Sequence, residues 1–457
     1  MPLFLHRRRF RSRLFYNRLA VRDIYLYPKF ITRGSRVSYS SMDTSQSKKG
    51  PDHLLILVHG IMASSSDWTY GEAVLKRRLG DDFFIYASSS NIYTKTFDGI
   101  DVAGRRLANE VLDVIRKTDG LRKISFLAHS LGGLFARYAI SILYSTETNG
   151  AGQSGVCSDI TNEGSEKSGC TSGLGAISEL EPINFITLAT PHLGVRGKNQ
   201  LPFLHGLSIL EKLAAPLAPL VVGRTGAQLF LTDGEPSKPP LLLQMASDHE
   251  EKKFISALAA FKNRILYANV SYDRILPFQL PHDFLYLICN IYGNQKILIS
   301  FKPFSIVLDC FLDPMSDMVG WRTSSIRREE DLTKPSHRSL DGYKHIVNME
   351  YCSPISSDGP HFPLQAARAK EAAQNRPNGK NTEEYHEMME EEMIHGLQRV
   401  GWKKVDVNFH TALWPYLAHN NIHVKNEWLH SAGAGVIDHV ADSIKQQESR
   451  KYFPAKL

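Results

Sequence analysis

Six short apolar runs alternate along this chain with longer stretches of helical period, and that alternation constrains the fold more than any other feature. The first run, LLILV at 54–58, is bounded by Pro51, Asp52 and Gly60. It is continuous and rich in branched side chains, the pattern of a strand buried on both faces. The same pattern recurs at 83–87, 124–128, 183–189, 265–270 and 405–409. Between these runs, Leu107, Val111, Val114 and Ile115 recur at helical spacing, and Arg116 and Lys117 precede Gly120 where a C-terminal cap belongs. A further helix is predicted from about Gly132 through Leu143. A last one is predicted at 435–444, where Val436, Val440 and Ile444 fall four apart. Strands alternating with helices of this length predict an α/β chain, a mostly parallel central sheet flanked by helices.

Composition removes the main competitors. With 457 residues, 42% hydrophobic and 22% charged, the chain is neither disordered, collagen-like nor a multi-span membrane protein. The net charge of +7 is concentrated at one end: residues 1–41 hold nine Arg, one Lys and one Asp, and the rest carries 44 basic against 46 acidic residues. A nucleic-acid footprint requires basic residues spread over a folded face, so none is expected here. Residues 1–50 read as a basic extension, either an unstructured one with Met42 as an alternative start or a transit peptide for chloroplast or mitochondrion. Without import, the protein is expected in the cytoplasm. The five cysteines are scattered and form no Cys-x-x-Cys pair, which supports neither a zinc site nor a disulfide framework.

The expected catalytic domain spans 51–448, with a tail at 449–457. Within it, 145–178 is dominated by Gly, Ser, Thr and Asn and reads as a surface loop. Residues 198–240 read as a cap, because 201–222 is apolar around most of a helical circumference; a buried helix pair is the competing reading. The run Glu390 to Glu392, beside Met388, Met389 and Met393, reads as a helix with one solvated face.

The chemistry is signalled at 124–133, ISFLAHSLGG. An apolar strand meets His129, Ser130, Leu131 and Gly132, and a helix follows. A strand-to-helix turn this sharp requires small residues two before and two after the serine, as in a nucleophile elbow. Gly132 meets the requirement, and Ala128 stands where glycine is commoner. Such a turn lifts Ser130 to a helix N-terminus, where a base can take its proton and backbone N–H groups face a developing oxyanion. Independently, LLILVHGIM (54–62) runs a buried strand into His-Gly, so the expected oxyanion donors are the N–H groups of Leu131 and of Ile61 or Met62.

At this point the chain resembles the serine esterase, lipase-like branch of the α/β-hydrolase superfamily, especially its plant members. The resembling segments are HGIMASSSDW (59–68), IYASSSN (85–91), AHSLGGLFARYA (128–139), FITLATPHLGVRG (185–197), GRTGAQLFLTDG (223–234), ANVSYD (268–273), VGWRTSSIRR (319–328) and HNNIHVKNE (419–427). Together they cover most of residues 52–448. The resemblance implies an α/β-hydrolase fold with a cap or insertion region and a triad in the order Ser, acid, His.

Ser130 is the expected nucleophile. Asp273, at the carboxyl end of the strand in ILYANVSYD, is the expected acid. The resemblance implies that ANVSYD runs almost directly into a segment like MVGWRTSS, yet the apolar, aromatic stretch 274–317 intervenes. Asp317, immediately before MVGW, is therefore the alternative acid. The base should lie between the last strand and the last helix, where spacing leaves His410, His419, His423 and His430 open. The resemblance singles out His423, with His419 as the alternative. Thr190, His192, His59 and His129 are expected at the substrate pocket, His59 chiefly as a residue bonding its own loop.

The reading is a serine carboxylic-ester hydrolase acting on a lipid-like or small ester, with no metal or organic cofactor. An apolar cap is expected to favour acyl chains over short polar esters, and peripheral contact with a membrane is a further expectation. Two other readings use the same residues: a hydrolase fold impaired by the 274–317 insertion and kept for binding or as a scaffold, and a lipid acyltransferase.

Overall fold

All six apolar runs form strands. The structure, a computed structural model, describes residues 50–145, 175–195, 223–234, 238–271, 273, 318–328, 330–332, 336–355 and 379–447. In chain order its main elements are β1 (His53–Val58), α1 (Thr69–Leu79), β2 (Phe83–Ala87), α2 (Ile100–Lys117), β3 (Lys123–His129) and α3 (Leu131–Leu143). They continue with β4 (Glu181–Leu188), α4 (Phe254–Ala260), β5 (Asn263–Asn269), α5 (Met318–Ser325), β6 (Ile346–Cys352), α6 (Gly379–Gln398), β7 (Trp402–Val407) and α7 (Ala434–Gln447).

The sheet runs β2-β1-β3-β4-β5-β7-β6, parallel throughout except for the edge pair β6 and β7. Its two buried faces explain why the runs are predominantly apolar, with Ser125, Asn184 and Asp406 among the buried polar exceptions. Leu54, Ile56, Val58, Phe126 and Ala128 point to one side, against α2 and α3. Leu55, Leu57, Leu127, Ile186 and Tyr267 point to the other, against Val74 and Leu75 of α1 and Val436, Val440 and Ile444 of α7. Fully burying each such side chain is worth about 1.5–3 kcal/mol, so a polar residue on either face is costly and alternation disappears.

The edge strand β6 carries no such signature, and the sequence patterns do not reveal it. Only its first two residues are buried, while Met349 and Tyr351 are exposed on a sheet edge. Helix α6 turns Met389 and Met393 fully inward; of its acidic run, Glu390 pairs with Arg322 where both side chains are largely buried, and Glu391 pairs with Arg328 nearer the solvent.

Strand register places the site. Val58 lies opposite Ala128, His129 opposite Leu188, Leu188 opposite Tyr267, and Asn269 opposite Val407. The carboxyl ends of five strands therefore finish level, and the loops that leave them meet.

Several expectations concern segments outside the described residues: the basic extension over 1–49, most of the 145–178 loop, the apolar stretch 201–222, the insertion 274–317 with Asp317, and the tail from 448 on. Of the expected cap, residues 223–229 form a helix. It satisfies the uncapped start of α2: the Gly99 N–H donates to Thr225 Oγ1 at 3.0 Å and the Ile100 N–H to Gln228 Oε1 at 2.6 Å. Among the described residues no helix is long and apolar enough to cross a membrane.

Candidate active site

Strand β3 ends at His129 and helix α3 begins at Leu131, so the chain reverses within one residue, Ser130. Its φ of 54° and ψ of −131° fall where L-residues rarely sit, a strain on the order of 1–3 kcal/mol that its surroundings must hold. Three bonds hold it. The Ser130 N–H donates to the Leu188 carbonyl at 2.8 Å, and the Ser130 carbonyl accepts from Thr190 Oγ1 at 2.8 Å and from the Gly133 N–H at 3.0 Å. The small residue after the serine has a steric cause: a Cβ on Gly132 would lie 2.5 Å from the His59 carbonyl oxygen and 2.7 Å from that of Val58.

The imidazole beside Ser130 Oγ belongs not to His423, which the resemblance singles out, but to His419. Its Nε2 lies 2.8 Å from Ser130 Oγ and its Nδ1 2.7 Å from Asp273 Oδ1. A carboxylate oxygen accepts, so Nδ1 carries the proton, and the unprotonated Nε2 accepts from the serine hydroxyl. His419 sits on a short helical turn, Ala418–Asn421, just past β7. Asp273 follows β5. Its Oδ1 also accepts from Asn269 Nδ2 at 3.0 Å, and its Oδ2 lies 3.4 Å from Ser324 Oγ of α5. Gly320 lets α5 come this close, since a Cβ there would lie 2.7 Å from the Asp273 Cβ. Ser130, His419 and the Asp273 side chain are 1%, 8% and 4% exposed, so these three hydrogen-bonded groups are shielded from bulk water.

Residues 48–283 match the family model described as "Putative serine esterase (DUF676)". The chain belongs to this family. The matched range contains Ser130 and Asp273, and His419 lies beyond it. Among named relatives, "Putative lipase YDL109C" of Saccharomyces cerevisiae is 30% identical over 57% of this chain and 32% of its own length. "Putative lipase C4A8.10" of Schizosaccharomyces pombe is 28% identical over 53% and 27%. The chain thus spans about a third or less of the length of these relatives. Among solved structures, the Bacillus licheniformis lipase BlEst2 aligns at 15% identity over 67% of this chain and 57% of its own, with a TM-score of 0.29. Phospholipase PlaB of Legionella pneumophila aligns at 13% identity over 49% and 40%, with a TM-score of 0.28. A mostly parallel sheet flanked by helices, carrying an elbow between β3 and α3, is the α/β-hydrolase fold.

In this family member the other predicted histidines lie elsewhere. His423 is 1% exposed; its ring stacks on that of His129 with centroids 3.7 Å apart and meets Trp68 edge-on at 5.5 Å. His410 stands by His337, with ring centroids 4.7 Å apart, and His430 Nδ1 accepts from the Asn426 N–H at 3.1 Å. Burial pushes the pKa of His423 and of His129 well below the ordinary range, the neighbouring cationic Lys425 and the other rings adding to it, so both stay neutral.

The four residues expected at the pocket are all buried and bonded within the protein. His59 Nδ1 donates to the Gly60 carbonyl at 3.1 Å, and burial lowers its pKa. Thr190 fastens the elbow as described. His192 Nε2 lies 3.0 Å from Thr187 Oγ1, and His129 Nε2 donates to the His419 carbonyl at 2.7 Å. Of the candidate oxyanion donors, the Met62 N–H is engaged by Thr96 Oγ1 at 3.1 Å. Those of Leu131 and Ile61 donate to no group among the described residues. No group of three or more His, Cys, Asp or Glu among the described residues is arranged to hold a metal ion.

Sequence reasoning placed Gly60 in the His-Gly turn without giving it a steric role, and it missed Asn269, Gly320 and Ser324. The two glycines carry a usable signal, since a missing side chain is what close approach to Ser130 and to Asp273 requires. Asn269 and Ser324 carry none.

Proposed function

We propose that this chain is a serine carboxylic-ester hydrolase of lipase type that works through an acyl-enzyme. One observation carries the reading: the His419 ring bridges Ser130 Oγ at 2.8 Å and Asp273 Oδ1 at 2.7 Å. As Oγ attacks the ester carbonyl carbon, its proton passes to His419 Nε2. Asp273 stabilises the imidazolium and keeps Nδ1 protonated. The tetrahedral oxyanion accepts from the N–H groups of Leu131 and Ile61, each donor worth about 3 kcal/mol in the transition state. The bond between the carbonyl carbon and the alcohol oxygen then breaks, and Nε2 returns its proton to the departing alcohol. Water adds to the acyl-enzyme with His419 taking its proton, the acid departs, and the hydroxyl of Ser130 is restored.

An intact relay favours this reading over an impaired scaffold. The names of the fungal relatives support a lipid-like ester as substrate. Acyl transfer to an alcohol shares every step but the last, and product analysis with a competing alcohol separates the two.

The test is labelling with a fluorophosphonate and mapping of the adduct. The expected result is a single adduct on Ser130, lost in Ser130→Ala. Labelling that is absent from the folded protein, or that persists in Ser130→Ala, removes the reading.

A further inference from the structure

A general base works only if its ring is held within a fraction of an ångström of the hydroxyl it serves. Asp273 fixes one edge of the His419 ring, but the backbone beneath that ring belongs to a four-residue turn, 289 residues away in sequence from the nucleophile. Something must hold the turn in register with the elbow.

His129, the residue immediately before Ser130, reaches that turn directly. Its Nε2 lies 2.7 Å from the backbone carbonyl oxygen of His419. A carbonyl can only accept, so His129 is the donor and its ring is the Nε2–H tautomer. One dipeptide therefore presents the nucleophile from residue 130 and grips the backbone of the base from residue 129. The grip has a second part. The faces of His129 and His423 lie at an interplanar angle of 21°, and His423 in turn meets Trp68 at 65°. Beyond these rings, Lys425 Nζ pairs with Asp67 Oδ2 at 3.0 Å, both side chains largely buried. The turn and the residues after it are thus clamped between the elbow and the 59–68 loop, and His129 is the member that touches His419 itself. At 5% exposure and with Nε2 already committed, His129 is placed to hold protein rather than substrate.

We propose that His129 is a positioning residue for the catalytic base: through its Nε2–H bond to the His419 carbonyl it sets the distance from His419 Nε2 to Ser130 Oγ. The proposal rests on the Ser130, His419 and Asp273 reading given above and adds a role that this reading does not require.

The decisive variants separate the donor from the ring. His129→Gln carries an amide N–H at about the reach of Nε2, His129→Asn carries one too short to reach it, and His129→Phe keeps the stacking surface without a donor. Turnover of a p-nitrophenyl ester is measured as kcat and KM separately. In parallel, the ring nitrogen shifts of His419 are read by NMR in protein with labelled histidine, assigned by their loss in His419→Gln. The Asn and Phe variants are expected to lose about a hundredfold in kcat with KM little changed, and to show His419 shifts moved toward mixed tautomers. The Gln variant is expected to recover most of both. Should Phe fail to fold, the contrast between Gln and Asn carries the same content. Equal kcat in folded Gln and Asn variants with unmoved His419 shifts overturns the proposal, as does a parallel loss in kcat and KM by all three. A wild-type protein that neither turns over esters nor takes the fluorophosphonate removes the enzymatic reading instead, and the shifts still decide whether His129 positions His419.

Discussion

Gly60 and Ser130 approach so closely that a Cβ on residue 60 would lie 2.8 Å from Ser130 Cβ and 3.3 Å from its Oγ. The cause is register: β1 and β3 pair with Val58 opposite Ala128, so the chain leaving β1 passes directly over the elbow. Gly60→Ala must push one loop from the other and carry the Ile61 N–H with it. The expected result is a folded protein whose kcat/KM falls about 10²-fold or more, the scale of a lost oxyanion donor. Ester turnover beside an unchanged circular dichroism spectrum checks it, and wild-type turnover would refute the assignment of that loop.

His419 and His423 are one helical turn apart and make opposite contacts. His419→Gln is expected to lower kcat by about 10⁴-fold or more, the cost of losing a member of a proton relay. His423→Phe keeps a stacked ring beside His129 and is expected to cost no more than about a hundredfold in kcat, a bound set by misplacement of the base rather than its loss. Steady-state kinetics of the two proteins decides, and the reverse ranking would transfer the base to His423.

Gly132 faces two backbone carbonyls that cannot rotate away. Gly132→Ala is expected to destabilise the fold by about 1–3 kcal/mol through overpacking. A denaturant midpoint measured at constant m-value tests this, and an unchanged midpoint would mean that β1 and α3 have room the close approach denies.

Stability should also depend on acid. Burial holds His430 and His439 at about 4, below the 6.5 expected of the unfolded chain. Between those values the unfolded state binds protons that the native state refuses, so stability rises with pH across this window, is complete above about 6.5, and is lost as pH falls toward 4. Each ring contributes on the order of 3 kcal/mol at most. Chemical denaturation at steps from pH 7 to pH 4 should show the decline, with a smaller one in His439→Phe. A flat profile would contradict it.

The sheet was legible because its central strands are buried on both faces, so Leu54 to Val58 is apolar without interruption and Ile124 to Ala128 is broken only by the buried Ser125. The edge strand Ile346–Cys352 was not, because one face and one side meet solvent and its residues alternate without any rule the sequence enforces. The elbow was legible for a local reason: strand, turn and helix occupy a few consecutive residues, and Gly132 answers a clash that any such turn meets. Asp273 stood out by its place at the end of an apolar strand. The choice among His410, His419, His423 and His430 was open, since all four lie between β7 and α7.

What the sequence determined by itself, then, is whatever neighbouring residues decide together: the buried strands, the helix faces, the turn at Ser130 and the family. Only tertiary structure decided which imidazole faces that serine, that the Met62 N–H is taken by Thr96, and that His129 spends its proton on the His419 carbonyl. Those outcomes depend on strands finishing level and on loops hundreds of residues apart meeting over them. Periodicity encodes burial within one element, and it carries no record of which side chain on a distant turn comes within 3 Å of another.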